Sequence, residues 1–302
     1  MQTQQKQSAQ PGDPRHESSG VEPTAVIDAQ QFDAILFDLD GVVTRTAVVH
    51  AAAWKQVFDT YLGKRAKDRG ETFQPFDMVS DYQCYVDGKP RSEGVRSFLE
   101  SRAITLPEGQ PNDPPECETV SGLGNAKQAH FLALLQDKGV EVYDTTVAFI
   151  CQAKAQGLKV AVISSSKNCA RVLEASGLTH LFEARVDGVE RERLGLQGKP
   201  DPSVFLEAAK RLGVDPARTA IVEDAIAGVQ AGRDGQFAYV IGIGRDEHAK
   251  HLEAHGADLV VPDLSALTID SHDAASKDMT VPIASLPNAP GACRRHRRCG
   301  RA

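Results

Sequence analysis

Five short apolar runs restrict how this chain can fold: AILFD (34–38), KVAVIS (159–164), AIVED (220–224), AYVIGIG (238–244) and DLVV (258–261). Each is continuously apolar rather than alternating, as strands buried on both faces are. Helix-period segments at 144–156, 168–176, 203–212 and 225–232 lie between them. Gly157, Gly177, Gly213 and Gly235 stand where helix ends favour glycine. Strand alternating with helix implies a parallel sheet covered on both faces, a Rossmann-like α/β core.

One interval breaks that rhythm. From Thr46 to about Val142 there are helical patterns at 47–62, 92–102 and 125–138 and no convincing buried strand. The economical reading is a helical cap, 46–142, inserted after the first strand into a core made of 31–45 and 143–268. Ligands in open parallel sheets bind beyond the carboxyl ends of the strands, so a cap inserted there covers the site. Residues 1–30, rich in Gln, Ser, Pro and Gly, and 269–302, which lose periodicity, read as disordered tails.

Composition excludes several classes. A net charge of -7 argues against a nucleic-acid-binding body, and no apolar run is long enough to span a bilayer. The polar N-terminus carries no signal-peptide pattern, which makes a cytoplasmic location the expectation. Cys84, Cys117, Cys151 and Cys169 form no C-x-x-C pair, and Cys151 is expected to be a small buried hydrophobe. Cys293 and Cys299 flank the basic run 294–298, which reads as a solvated tail. Gly122–Leu123–Gly124 is too short for a dinucleotide fingerprint.

The chemistry gathers at the predicted strand ends. The first carries Asp38 and Asp40, the second Ser164, Ser165 and Ser166, a later loop Lys199, and another strand Glu223 and Asp224. In a parallel sheet these ends point the same way. A carboxylate can attack a phosphoryl group and form an acyl phosphate, which splits one difficult transfer into two. Attack of anion on anion needs charge neutralisation, which magnesium on oxygen ligands and a lysine supply. Asp38 suits the nucleophile and Asp40, two residues on, the general acid and base. Ser164 and Lys199 are the donors for the transferring phosphoryl oxygens, and Glu223 with Asp224 completes a metal site.

DLDGVVT, VISSS, GKPDP and IVEDAIAG resemble the four motifs of the haloacid dehalogenase superfamily, over roughly residues 32–265. The resemblance implies magnesium held by Asp38, the backbone carbonyl of Asp40, Glu223 and Asp224. More narrowly, the chain resembles the β-phosphoglucomutase family. Thr46, His50 and Trp54 match the segment after that family's nucleophile, and Gly88-Lys89-Pro90-Arg91 its G-x-x-R element. Lys127 matches its cap lysine, and Ser166-Lys167-Asn168 the loop holding the non-reacting phosphate. Together with Ser165 these residues are the expected substrate-binding set. Arg45, Asp87 and Gln128 depart from the family pattern. The activity implied is interconversion of β-D-glucose 1-phosphate and glucose 6-phosphate through β-glucose 1,6-bisphosphate, by a monomer acting on a small phosphorylated sugar. A sugar-phosphate phosphatase with the same machinery is the alternative, and a non-catalytic binding module stands behind both.

Overall fold

The computed structural model describes residues 25–270. Its strands are β1 (Ala25–Asp28), β2 (Ala34–Asp38), β3 (Lys159–Ile163), β4 (Ala184–Val186), β5 (Thr219–Glu223), β6 (Tyr239–Ile243), β7 (Leu259–Val261) and β8 (Leu267–Asp270). Six of them form a parallel sheet in the order β4-β3-β2-β5-β6-β7, while β1 and β8 pair in parallel as a separate ribbon. The long helices are α1 (Thr46–Arg69), α2 (Arg91–Ser101), α3 (Val120–Lys138), α4 (Asp144–Ala155), α5 (Cys169–Ser176), α6 (Gly188–Leu194), α7 (Ser203–Leu212), α8 (Ile226–Asp234) and α9 (Asp246–Ala254).

Alternation along β2 explains why the run is apolar throughout. Ile35 and Phe37 pack with Phe149 and Ile150 of α4 on one face. Ala34 and Leu36 pack with Phe205 and Ala208 of α7 on the other. All four strand residues are fully enclosed. Truncating a side chain such as Phe37 to alanine would therefore cost about 3–5 kcal/mol.

Between β2 and α4 the chain leaves the sheet and builds a helical layer. Arg45 N donates to Glu141 O at 2.9 Å and Tyr143 N to Val43 O at 3.0 Å, so the two ends of the excursion are stitched together. Its apolar cluster is its own. Trp54, Phe58, Phe76 and Phe98 stack with centroids 4.0–5.3 Å apart, backed by Val95, Leu99 and Leu123. A π-helical turn, Tyr82–Val86, leads from this layer into the loop before α2.

Three expectations need correction. Residues 25–28 are not tail but strand, registered Ala25 to Leu267 through Asp28 to Asp270, so the ordered body extends past both expected boundaries. Ile27, Leu267 and Ile269 are buried against the core, which offsets the cost of ordering these short segments. Cys151 is exposed and Cys169 is the buried thiol, because α4 turns Phe149, Ile150 and Ala153 inward instead. α1 runs on to Arg69, beyond the expected end at 62, with its last turns mostly in solvent. The rest of the two expected tails, including the basic run and its cysteines, lies outside the described residues. Among the described residues no helix is long and apolar enough to cross a membrane.

Candidate active site

β2, β3 and β5 lie side by side in the middle of the sheet, and their carboxyl ends bring the predicted residues together. Lys199 is fully enclosed, and its ammonium sits between Asp38 and Glu223, 2.5 Å from Asp38 Oδ1 and in close contact with Glu223 Oε1. The other oxygen of Asp38 accepts from the backbone N–H of Asp40 at 2.8 Å. Glu223 Oε2 accepts from the N–H groups of Asp224 and Ala225, both at 3.0 Å. Both oxygens of Glu223 are therefore engaged, and its orientation is fixed.

Asp224 is different. Its Oδ1 is buried and has no hydrogen-bond partner. Asp38, Glu223 and Asp224 each offer an oxygen within 4.8 Å of the others. Burial, then the negative charges of Asp87, Asp38 and Glu223, push the Asp224 carboxyl well above its ordinary range. Asp38 is raised too, by burial first, with Lys199 opposing and Glu223 and Asp40 adding to the shift. A cluster of hard oxygen donors with excess negative charge and one free buried oxygen fits a small divalent cation. Gly41, at φ +104, makes that approach possible, because a β-carbon there would collide with Asp224 Oδ2.

Asp40 is held from three sides. Thr46 Oγ1 donates to its Oδ1 at 2.5 Å, Ser164 Oγ to its Oδ2 at 2.8 Å, and His50 Nε2 stands 3.2 Å from Oδ1. Burial opposes the charge, but His50, Thr46 and Ser164 outweigh it and keep the carboxyl well below the ordinary range. Asp40 is thus ionised at neutral pH, the form that takes a proton from a hydroxyl. His50 Nδ1 lies 2.5 Å from Lys127 Nζ, and its ring stacks on Phe131 at 4.1 Å. Burial lowers Lys127 to about 7, and burial with the Lys127 charge lowers His50.

Above these groups lies a cavity of about 410 Å³, walled by core and helical layer together. Asp38, Asp40 and Asp224 line its floor, and His50, Trp54, Lys127 and Arg91 its helical wall. Ser165, Ser166 and Lys167 form the core rim, where Lys167 pairs with Glu192 at 2.5 Å. Ser165 Oγ donates to Gly88 O at 2.5 Å across the cleft. Gly88, at φ +68, lets the layer approach the core, since a β-carbon there would lie 2.9 Å from Ala225 Cβ. Thr46 and Asn168 are not on the wall. Thr46 stands behind Asp40, and Asn168 pairs with Gln128, which does line the cavity.

Comparisons with known proteins bear on the family and the fold. A family model described as haloacid dehalogenase-like hydrolase matches residues 32–235. A β-phosphoglucomutase of Mycobacterium tuberculosis is 52% identical over 237 residues, covering 78% of this chain and 90% of the relative. The chain belongs to the β-phosphoglucomutase-like family of the haloacid dehalogenase superfamily. A Bacillus subtilis β-phosphoglucomutase is 30% identical over 238 residues, 78% of this chain and 92% of the relative. The solved β-phosphoglucomutase of Clostridium difficile superposes with a TM-score of 0.60 at 25% identity, covering 78% of this chain and 92% of its own. As a member of this family the protein is a phosphoryl-transferring enzyme with a parallel-sheet core and an inserted helical cap.

The structure also brings residues to the site beyond the expected set. Asp87 and Tyr82, from the cap, line the main cavity and a second one of about 270 Å³ that reaches Asp224 from the other side. Burial raises the Asp87 carboxyl to about 7, against a hydrogen bond from Tyr82. His248 Nε2 bonds the Asp224 carbonyl oxygen at 2.7 Å and braces the loop that carries Asp224. Only Asp87 had a signal, as a departure from the family pattern. Tyr82 and His248 come into place through tertiary folding alone.

Proposed function

We propose that this enzyme is a β-phosphoglucomutase that interconverts β-D-glucose 1-phosphate and glucose 6-phosphate by way of β-glucose 1,6-bisphosphate. The observation that carries the reading is that a cationic side chain uncommitted to any carboxylate faces the nucleophile across the cleft. Lys199 lies at the nucleophile, and the Arg91 guanidinium on the opposite wall is bonded to a neutral amide rather than to a carboxylate. A planar, bidentate donor held that way suits a second phosphate. A phosphatase needs only the lysine.

The residues divide the work as follows. Phospho-Asp38 presents its phosphoryl group to the 6-hydroxyl of glucose 1-phosphate. Asp40 takes the hydroxyl proton as the new P–O bond forms and the Asp38–P bond breaks. After the bisphosphate reverses in the cleft, Asp38 attacks the phosphorus on O1, and Asp40 returns the proton to that oxygen. Lys199 and Ser164 support the phosphoryl oxygens, while Arg91, Lys167 and Asn168, with Ser166, hold the phosphate that is not reacting. His50, Trp54 and Lys127 form the wall against the sugar, and the cap, residues 46–142, keeps water from the aspartyl phosphate. Asp38, Glu223, Asp224 and the Asp40 carbonyl would hold magnesium, which neutralises charge on the transferring group.

The test is to supply β-glucose 1-phosphate, magnesium and a trace of glucose 1,6-bisphosphate, following glucose 6-phosphate and free phosphate in parallel. Glucose 6-phosphate without matching phosphate is the expected result. Free phosphate alone would replace the mutase by the phosphatase, and silence in both channels would point to a different phosphorylated sugar or to a binding role.

A further inference from the structure

Gln128 departs from the family pattern and occupies a telling position. It lies on α3 one turn after Gly124, so the two share a face of the helix. Arg91 runs across that face, its Nε 3.5 Å and its Cγ 3.6 Å from where a β-carbon on Gly124 would be. At the end of this path Arg91 Nη1 donates to Gln128 Oε1 at 2.9 Å. A guanidinium can only donate, so the atom facing it is the amide oxygen and the orientation of the carboxamide is fixed. The same oxygen accepts from Asn168 Nδ2 at 3.0 Å, and Gln128 Nε2 donates to Asn168 Oδ1 at 2.7 Å. α3 belongs to the cap and Asn168 to the core loop before α5. A single side chain thus ties the two walls together.

We infer that Gln128 is a latch: its amide oxygen stands where a phosphate oxygen would, on the donors of Arg91 and Asn168, and holds the cap against the core until a bound phosphate takes those donors over. The inference rests on the placement of the second phosphate at Arg91 and Asn168. A phosphate oxygen can accept from both donors as the amide oxygen does, but carries charge, and charge-assisted hydrogen bonds are roughly twice as strong as neutral ones. Exchange therefore favours the ligand without ever leaving Arg91 and Asn168 unpaired. In this enzyme a closed cleft is the resting condition, and the bisphosphate can reverse under a cap that has a substitute contact ready.

The chain has one tryptophan, Trp54, buried on the cleft wall, and acrylamide quenching of its fluorescence reads cap opening. The experiment uses the full chain in the Asp38→Asn background, where no transfer consumes the probe, glucose 1,6-bisphosphate. Gln128→Met keeps the shape and loses the acceptor. Its ligand-free quenching constant should rise at least about twofold and return to the parent value with the bisphosphate, as expected when a contact biasing open and closed populations is removed and then replaced. Gln128→Glu should stay closed, since it can pair with Arg91, and should bind the bisphosphate about tenfold more weakly, because the ligand must displace a charge rather than an amide. Unchanged ligand-free quenching in Gln128→Met would overturn the latch. Undiminished affinity in Gln128→Glu would overturn the shared donors. The ligand-free comparison needs no substrate, so it stands even where the wild-type enzyme forms no glucose 6-phosphate, which alone would refute the mutase.

Discussion

Replacing Lys199 with methionine tests the electrostatics of the site most directly, because the lysine is enclosed and touches both Asp38 and Glu223. Methionine fills much the same volume, so the change removes a charge rather than a packed side chain. Removing one member of a buried ion pair costs about 3–5 kcal/mol, since the partner charges stay behind uncompensated. For a domain of this size each kcal/mol shifts Tm by about 2–4 °C, giving a drop of roughly 6–20 °C. Scanning calorimetry in EDTA at pH 8 reads this loss, and magnesium should recover part of it by supplying positive charge to the same acids. The pH dependence has a definite sign. Without Lys199, burial and the Glu223 and Asp40 charges raise Asp38 further above its unfolded value. A raised acid binds a proton in the folded state that the unfolded chain has given up, so stability falls as pH rises. The deficit should therefore be largest at pH 8 and shrink toward the ordinary carboxylate range. Melting within about 2 °C of wild type at pH 8, far short of the drop worked out above, or a deficit that grows on acidification, would refute Lys199 as the counter-charge. Turnover should fall by at least about 100-fold, the scale of losing one transition-state donor.

Asp38→Asn should reduce phosphoryl transfer by roughly 10⁴–10⁶-fold, as loss of a nucleophile does, with the circular-dichroism spectrum retained. Arg91→Ala should damage mutase flux at least about tenfold more than hydrolysis of a small aryl phosphate, because only the mutase uses a second phosphate; equal losses would remove Arg91 from that role. Asp87, raised to about 7, is protonated in the fold at pH values where the unfolded chain is ionised. Tm in EDTA should therefore fall as pH rises from roughly 4 to 7, and Asp87→Asn should flatten that slope. Lys127, lowered to about 7, loses its charge as pH rises through that value. KM for the sugar phosphate should climb above it, and Lys127→Arg, whose charge does not titrate in that range, should remove the climb.

The central strands were legible in the sequence because both faces are covered. β2, β3 and β5 must be apolar through their middle residues, and no other element writes so plain a signal. β4, with Arg185 at its centre, sits at a sheet edge and spans three residues, so it had none. β1 and β8 were missed because each is four residues long and needs the other, about 240 positions away, to exist. The core acids could be placed because parallel strands force their ends together whatever the rest of the chain does. Gln128 was visible only as a departure from a pattern. Nothing in the order of residues reveals that a cap helix will meet Asn168, since that meeting depends on how far the cap closes. The same holds for Thr46, whose match to the family suggested substrate contact while its hydroxyl is spent on Asp40.

The ribbon formed by β1 and β8 has a mechanical meaning. The two strands run parallel and in register, so the chain enters beside Ala25 and leaves beside Asp270, at opposite ends of the pair. A load applied through the two termini pulls the strands past each other rather than apart. All the ladder hydrogen bonds then bear it at once instead of breaking one after another as in a zipper. Ile269 N adds a further tie, to Gln152 Oε1 at 3.2 Å. Force arriving from either end of the chain thus meets a shear clamp before it reaches β2 and the nucleophile at its tip.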